Sequence, residues 1–210
     1  MASSLFKYLG GVQYRGVYAP NILKRINLPT SVTNSATLFH KYVILDGDRP
    51  DTIAYHYYGS SLYDWVVQLS NQAMDVYSEW PLRQEELDAV VIKEYGSVDA
   101  ALQIVSYYKI NADHEAINDA AYDALPASLK KYWSRVSNST PAYYSVRASD
   151  ITITPASYTA LAEGEEIYWE AVSEYDRLFK ENESKRAIKL IDAGAVAGIE
   201  RALKALANDQ

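Results

Sequence analysis

The spacing of apolar positions changes repeatedly along this chain, and the changes mark out its elements. Residues 1–38 show no sustained period. "GGVQYRGVYAPN" (Gly10–Asn21) interrupts its apolar residues with turn formers and breakers. A stretch of this kind presents no face able to bury itself, which predicts an irregular, extended arm that lies on something else. From His40 the pattern sharpens. "KYVIL" (Lys41–Leu45) predicts a strand, and "DGD" (Asp46–Asp48) predicts a turn. Pro50 suits a first helical position, with Asp48 or Arg49 just outside it and Asp51 in the first turn. Ile53, Ala54 and Tyr57 then share one helical face. Gly59 stands where a left-handed C-terminal cap belongs, and Ser60 or Ser61 can cap a second helix. That helix carries Leu62, Trp65, Val66 and Leu69 at three- and four-residue spacing and ends at Asn71. The order is strand, helix, helix, and the spacing makes Trp65 a core residue.

Further along, Pro81 biases Trp80 towards an extended conformation. Leu82, Leu87, Val90, Val91 and Tyr95 mark an amphipathic helix ending at Gly96. "ALQIVSYYKIN" (Ala101–Asn111) reads as a helix end followed by a strand. Residues 112–136 hold two helical stretches split at Pro126. "PAYYSVR" (Pro141–Arg147) and "ITITPASYTAL" (Ile151–Leu161) alternate like strands. Within residues 166–183, Tyr168, Ala171, Val172, Tyr175, Leu178 and Phe179 match a helix. "RAIKLI" (Arg186–Ile191) fits a short strand, and Asp192 can cap a last helix bearing Val196, Ile199, Leu203 and Leu206. The fold class is α+β. Four parts are expected: an arm at 1–38, a module with its following helix at 39–96, a mixed middle region at 97–165 and a C-terminal helical docking segment at 166–210.

Composition narrows the function classes. The 210 residues suit one mid-sized domain or two small ones. The net charge of −7 disfavours non-specific binding to nucleic acid or anionic membrane, which needs clustered Lys and Arg. No run approaches the ~20 apolar residues of a membrane span, and "MASSLFKYLGGVQYRG" lacks the apolar core of a signal peptide. The absence of Cys removes disulfides, thiolate metal sites and Cys nucleophiles. Tyr is over-used: 19 Tyr stand against 3 Phe, which fits either wet core edges or surfaces buried on assembly. Acidic Glu163, Glu165, Glu166, Glu170, Glu174 and Asp176 precede basic Lys180, Lys185, Arg186 and Lys189. That sign change could orient docking or simply form a solvated face.

No catalytic constellation emerges. His40, His56 and His114 lack metal-ligand spacing. Asp46, Asp48 and Asp51 resemble part of a calcium loop but lack its closing Glu, so turn formation and capping explain them better. No phosphate loop or nucleophile elbow is present. Carboxylates are plentiful, and none is singled out as a glycosidase pair. Catalytic, cofactor-binding and metal-binding residues are therefore assigned to none, and no cofactor is expected.

"YVILDGDRPDTIAYHYYGSSLYDWVVQLSN" (Tyr42–Asn71) resembles the LysM module, a β-α-α-β unit that binds N-acetylglucosamine-containing glycans. A LysM unit returns promptly through a second strand, whereas "QAMDVYSEWPLRQEELDAVVIKEYG" (Gln72–Gly96) follows here. This combination is similar to the LysM-like baseplate wedge proteins of contractile-tailed, T4-like bacteriophages. "YDRLFKENESKRAIKLIDAGAVAGIERALKAL" (Tyr175–Leu206) is similar to that family's closing segment, with Asn182-Glu183, Lys185-Arg186 and Ile188–Ile191 before a final helix. The resemblance covers residues 39–96 and 166–207; residues 97–165 match weakly, with an apparent insertion around 112–136.

The resemblance implies a non-enzymatic virion protein of the tail baseplate, assembled in the host bacterial cytoplasm. It implies one copy per wedge in a sixfold ring. Each copy would clamp the wedge's helical core bundle, contact a sheath-initiator-like subunit and join neighbouring wedges around the hub. Neither nucleic acid nor membrane is a partner. Candidate partner contacts are Tyr57, Tyr58, Trp80, Arg186, Ile199, Leu203 and Leu206. Trp80 either packs on the module or anchors a partner. The stripe Val196, Ile199, Leu203 and Leu206 is expected to need a partner surface, so that removing residues 184–210 would leave 39–96 folded. The rival assignments are a LysM-type protein binding peptidoglycan or chitin, with Tyr57, Tyr58 and Trp65 as a stacking platform, and a glycan-cleaving enzyme.

Overall fold

The computed structural model describes residues 5–21, 27–28, 30–33, 35–73, 75, 78–111, 116–136, 143–145 and 151–208. In chain order the elements are β1 (Gly11–Tyr14), β2 (Val17–Pro20), α1 (Thr30–Thr33), β3 (Phe39–Val43), α2 (Pro50–Tyr58), α3 (Asp64–Ser70), α4 (Gln84–Tyr95), α5 (Val98–Gln103) and β4 (Val105–Ile110). There follow β5 (Ala116–Ile117), α6 (Asp119–Ala124), α7 (Ala127–Lys130), β6 (Trp133–Arg135), β7 (Tyr143–Ser145), β8 (Thr152–Ile153) and α8 (Pro155–Thr159). The chain ends with β9 (Trp169–Ser173), α9 (Glu174–Ser184), β10 (Ala187–Ile191) and α10 (Ala193–Asn208). The mixture is α+β. It forms two compact units, Met1–Glu86 with Asn182–Gln210, and Leu87–Glu181.

The first unit is built on the predicted strand, helix, helix. Pro50 opens α2 behind an extended Arg49, and Gly59 closes it with φ 76°, a conformation that a side chain would strain. The Ser60 hydroxyl accepts from the Leu62 amide and starts the turn into α3. Helix α3 is buried on two sides. Trp65, Val66 and Leu69 pack with Leu28, Ile191, Val196, Ile199 and Leu203. Val67 packs with Ile44, Ile53, Ala54, Trp80, Ile188 and Leu190. The second strand comes from the far end of the sequence: β10 pairs antiparallel with β3, with Lys189 opposite Lys41 and Ile188 opposite Tyr42. The unit is therefore strand, helix, helix, strand, and the return that Gln72–Gly96 lacks is made at Ala187–Ile191.

Two expectations change here. Residues 1–38 contain a hairpin, β1–β2, turning at Arg15 and Gly16 with φ 51° and 80°, as a tight two-residue hairpin turn requires. Leu28 is buried, and Leu5, Leu9 and Val32 pack on the same core. The N-terminal stretch thus buries apolar side chains without any sequence period, because isolated residues drop into a surface already formed by α3 and α10. The closing helix is also not an uncovered docking face. Ile199 is only 2% exposed, and Val196 and Leu203 are equally enclosed by the chain's own core. The side chain of Leu206 lies outside the described residues. With β10 paired to β3 and α10 packed in the core, the closing strand and helix are parts of the module itself.

In the second unit, Ser97 caps α5 after the left-handed Gly96. Strand β4 lies between β8 and β9, and β7 lies between β5 and β6. Ile110, Ile117, Leu125, Leu129, Trp133 and Trp169 form the core. The helix expected across residues 166–183 begins only at Glu174. Ala171 and Val172 lie in β9, where pairing with β4 overrides a pattern compatible with a helix. In "ITITPASYTAL" the strand stops at Ile153, since the Thr154 side chain caps α8 and Pro155 occupies its first turn. His114 lies outside the described residues.

Candidate protein-interaction surfaces

The Tyr-rich composition is largely spent at core margins. Tyr42, Tyr57, Tyr58 and Tyr63 pack half-buried on the first unit's cores, and Tyr108, Tyr122, Tyr132, Tyr143, Tyr158 and Tyr168 do so in the second. Tyr108 stacks on Tyr158 with centroids 3.7 Å apart, and Tyr122 on Tyr143 at 3.8 Å.

Several expected contact residues hold the module together. The Tyr58 hydroxyl donates to the Ile191 carbonyl at 2.9 Å, and burial, then the neighbouring Tyr57, pushes its pKa up. Tyr57 meets Tyr58 edge-on at 4.9 Å and keeps part of its ring exposed. Trp65 is 2% exposed and cannot stack on a glycan from that position. Trp80 is buried, and its indole N–H donates to the Asp48 carbonyl at 2.8 Å. Asp48 in turn accepts from the Leu45 amide and the Tyr42 hydroxyl, each at 3.1 Å, so this carboxylate shapes a turn. The Arg186 guanidinium pairs with Glu183 at 2.6 Å and Asp46 at 3.1 Å, tying the start of β10 to the β3–α2 turn. Hydrogen bonding to Glu183 holds its pKa above the usual arginine value.

Two asparagines act as backbone brackets. The Asn71 carboxamide accepts from the Lys189 amide at 2.7 Å and donates to the Lys189 carbonyl at 2.9 Å. Asn182, buried, does the same to Leu82, at 2.7 and 2.9 Å. Each stands in for a peptide group of a neighbouring strand and ties together segments distant in sequence. Asn71 was legible only as a helix end.

The outward surfaces fall on residues that periodicity did not nominate. Hairpin β1–β2 is exposed from Gly11 to Tyr18, with Tyr18 at 77% and Val12, Tyr14 and Val17 also open to solvent. The Arg15 guanidinium lies over the Tyr14 ring at 5.3 Å. Of the two faces of the β3–β10 ribbon, one carries Tyr42, Ile188 and Leu190 into the core with α2 and α3. The other presents Lys41, Val43, Ala187 and Lys189 outwards, with Val43 63% exposed. At its edge lies a cleft of about 450 Å³ bordered by Leu28, Phe39, Lys41, Leu69, Gln72 and Lys189.

Among the described residues no group of three or more His, Asp or Glu could hold a metal ion. No helix among them is long and apolar enough to cross a membrane. No curated protein matches the chain. The family model described as "Base plate wedge protein 53" matches residues 7–203, spanning the hairpin, the module, the second unit and most of the closing helix. The chain therefore belongs to the Base plate wedge protein 53 family, a structural component of the phage virion's tail baseplate.

Proposed function

We propose that this chain is a non-enzymatic clamp within the baseplate wedge, present once per wedge in a sixfold ring. It holds the wedge's core helical bundle, contacts a sheath-initiator-like subunit and joins neighbouring wedges around the hub. Its strand-helix-helix-strand unit is LysM-like in element order, used for protein packing rather than for glycan. The burial of Trp65 supports that use, because it removes the largest ring from a stacking platform.

The observation that carries the clamp reading is the β1–β2 hairpin. A two-stranded ribbon is marginal by itself in water. This one holds Val12, Tyr14, Val17 and Tyr18 out to solvent on a chain that already buries two cores of its own in the same unit. Exposed aromatic and aliphatic residues on a pre-shaped element suit a surface buried only on assembly. Tyr57, with its partly exposed ring, is the earlier-named residue best placed for a further contact.

Electron microscopy of baseplates made with Tyr14→Glu/Tyr18→Glu protein tests the proposal. Incomplete wedges or open rings are expected, with the purified variant's melting temperature unchanged. Normal baseplates containing the variant would count against it. Calorimetry with N-acetylglucosamine oligomers is expected to show no binding.

A further inference from the structure

The outward face of the β3–β10 ribbon carries a pair of like charges, Lys41 and Lys189. Lys41 and Lys189 stand directly opposite each other in the antiparallel register, where like charges disfavour the ribbon. Both are exposed, and among the described residues neither takes part in an ion pair. They border the cleft of about 450 Å³, and Leu28, Phe39 and Leu69 supply its apolar wall. A wall part apolar and part cationic is complementary to an apolar side chain flanked by carboxylates, with room beside it. The surrounding sequence strengthens the sign: no Asp or Glu precedes Asp46, while Lys7, Arg15, Lys24, Arg25 and Lys41 do.

The second unit presents the complement. The turn before β9 carries Glu163, Glu166 and Ile167, all exposed, with Ile167 at 60%. Its shape is fixed from within. Gly164 is left-handed at φ 87°, its amide donates to the Glu166 carboxylate at 2.8 Å, and buried Glu165 accepts from the Ser128 hydroxyl. An ordered tip loses little conformational freedom on docking.

We infer that the cleft of one copy receives the 163–167 tip of a second copy. Ile167 enters between Leu28, Phe39 and Leu69, while Glu163 and Glu166 meet Lys41 and Lys189. Cleft and tip are different surfaces, so the contact is head-to-tail and generates a ring when its rotation closes. The inference rests on the wedge-joining proposal for the reason that copies meet, and it names the residues that join them.

Sedimentation velocity of the full chain, up to ~1 mM to match the effective concentration inside an assembly, tests it. Association that rises with concentration and weakens with salt is expected. Lys41→Glu/Lys189→Glu should weaken it about tenfold or more. Mixing that variant with Glu163→Lys/Glu166→Lys should restore association that neither shows alone. Ile167→Asp should weaken it without altering the charge of the cleft. All five positions are exposed, and melting temperatures equal to the parent's establish that the variants fold. A wild-type chain that stays monomeric throughout, a lysine variant that associates normally, or a mixed pair without rescue would each overturn the inference. Those outcomes leave the clamp proposal standing, since the hairpin variant tests it separately on baseplates.

Discussion

Replacing Asn71 with Ala removes the bracket that fastens α3 to β10. Three short hydrogen bonds go, Nδ2 to the Val67 carbonyl at 2.8 Å, Nδ2 to the Lys189 carbonyl at 2.9 Å, and the Lys189 amide to Oδ1 at 2.7 Å, along with a longer contact of Nδ2 to the Ser70 hydroxyl at 3.2 Å. At about 1 kcal/mol net each, the gross loss is about 3 kcal/mol. Two features reduce it. Lys189 is on the exposed side of the ribbon, so water reaches its freed amide, and the Ser70 hydroxyl still donates to the Lys189 carbonyl at 3.0 Å. About 2 kcal/mol should remain, read from urea denaturation of the full chain. Amide hydrogen exchange gives the local signature: the Lys189 amide should lose protection more than Ile188 or Leu190. Asn71→Asp sharpens the test. Its carboxylate still accepts from the Lys189 amide but faces the Val67 and Lys189 carbonyls, so it should cost at least as much at neutral pH and recover partly as acid protonates it. A change under ~0.5 kcal/mol, the scatter of ordinary surface substitutions, with Lys189 still protected, would refute the bracket.

Trp80→Ala should destabilise the first unit by about 3–5 kcal/mol, since it empties a core position and strips the Asp48 carbonyl of its donor. For a unit near 100 residues this lowers the melting temperature by roughly 15–20 °C, and an unchanged melt would mean that Trp80 is not buried. Deleting residues 184–210 should unfold the first unit, seen as loss of dispersed methyl signals from Ile53, Val66 and Val67; a native-like spectrum would show that β10 and α10 are dispensable. Gly59→Ala should cost about 1 kcal/mol from backbone strain alone, because among the described residues nothing beyond its chain neighbours lies within 4 Å of the added methyl, and Gly59→Asn should recover much of it. Burial raises the pKa of Tyr58 in the folded state, so its contribution to stability is complete below the ordinary tyrosine value of 10.0 and falls as pH rises beyond it. Urea midpoints at increasing alkaline pH should therefore fall less steeply in Tyr58→Phe than in the parent.

Local chemistry was legible in the sequence wherever the cause lies within a few residues. Pro50 opening α2, Gly59 closing it, Ser60 starting the next turn and Gly96 ending α4 all follow from dihedral preference and capping. Trp65 was placed in the core by its spacing with Leu62 and Leu69, although Leu62 itself is exposed. The family was legible too, through the module and the closing segment together. What the sequence could not decide is where each apolar stripe is satisfied. Val196, Ile199 and Leu203 form the same stripe whether a partner or the chain's own α3 covers them, since helical periodicity specifies a face and not its counterpart. The apolar positions of residues 169–173 fit both periods, and only the ladder to β4 selects the strand. The module's second strand was hidden for a related reason. Pairing of β10 with β3 joins positions that sequence neighbours do not report, and the Asn71 bracket exists only after that pairing has formed. The opposed Lys41 and Lys189 are the plainest case: each is an ordinary surface lysine in the sequence, and only the register of two remote strands makes them one cationic site.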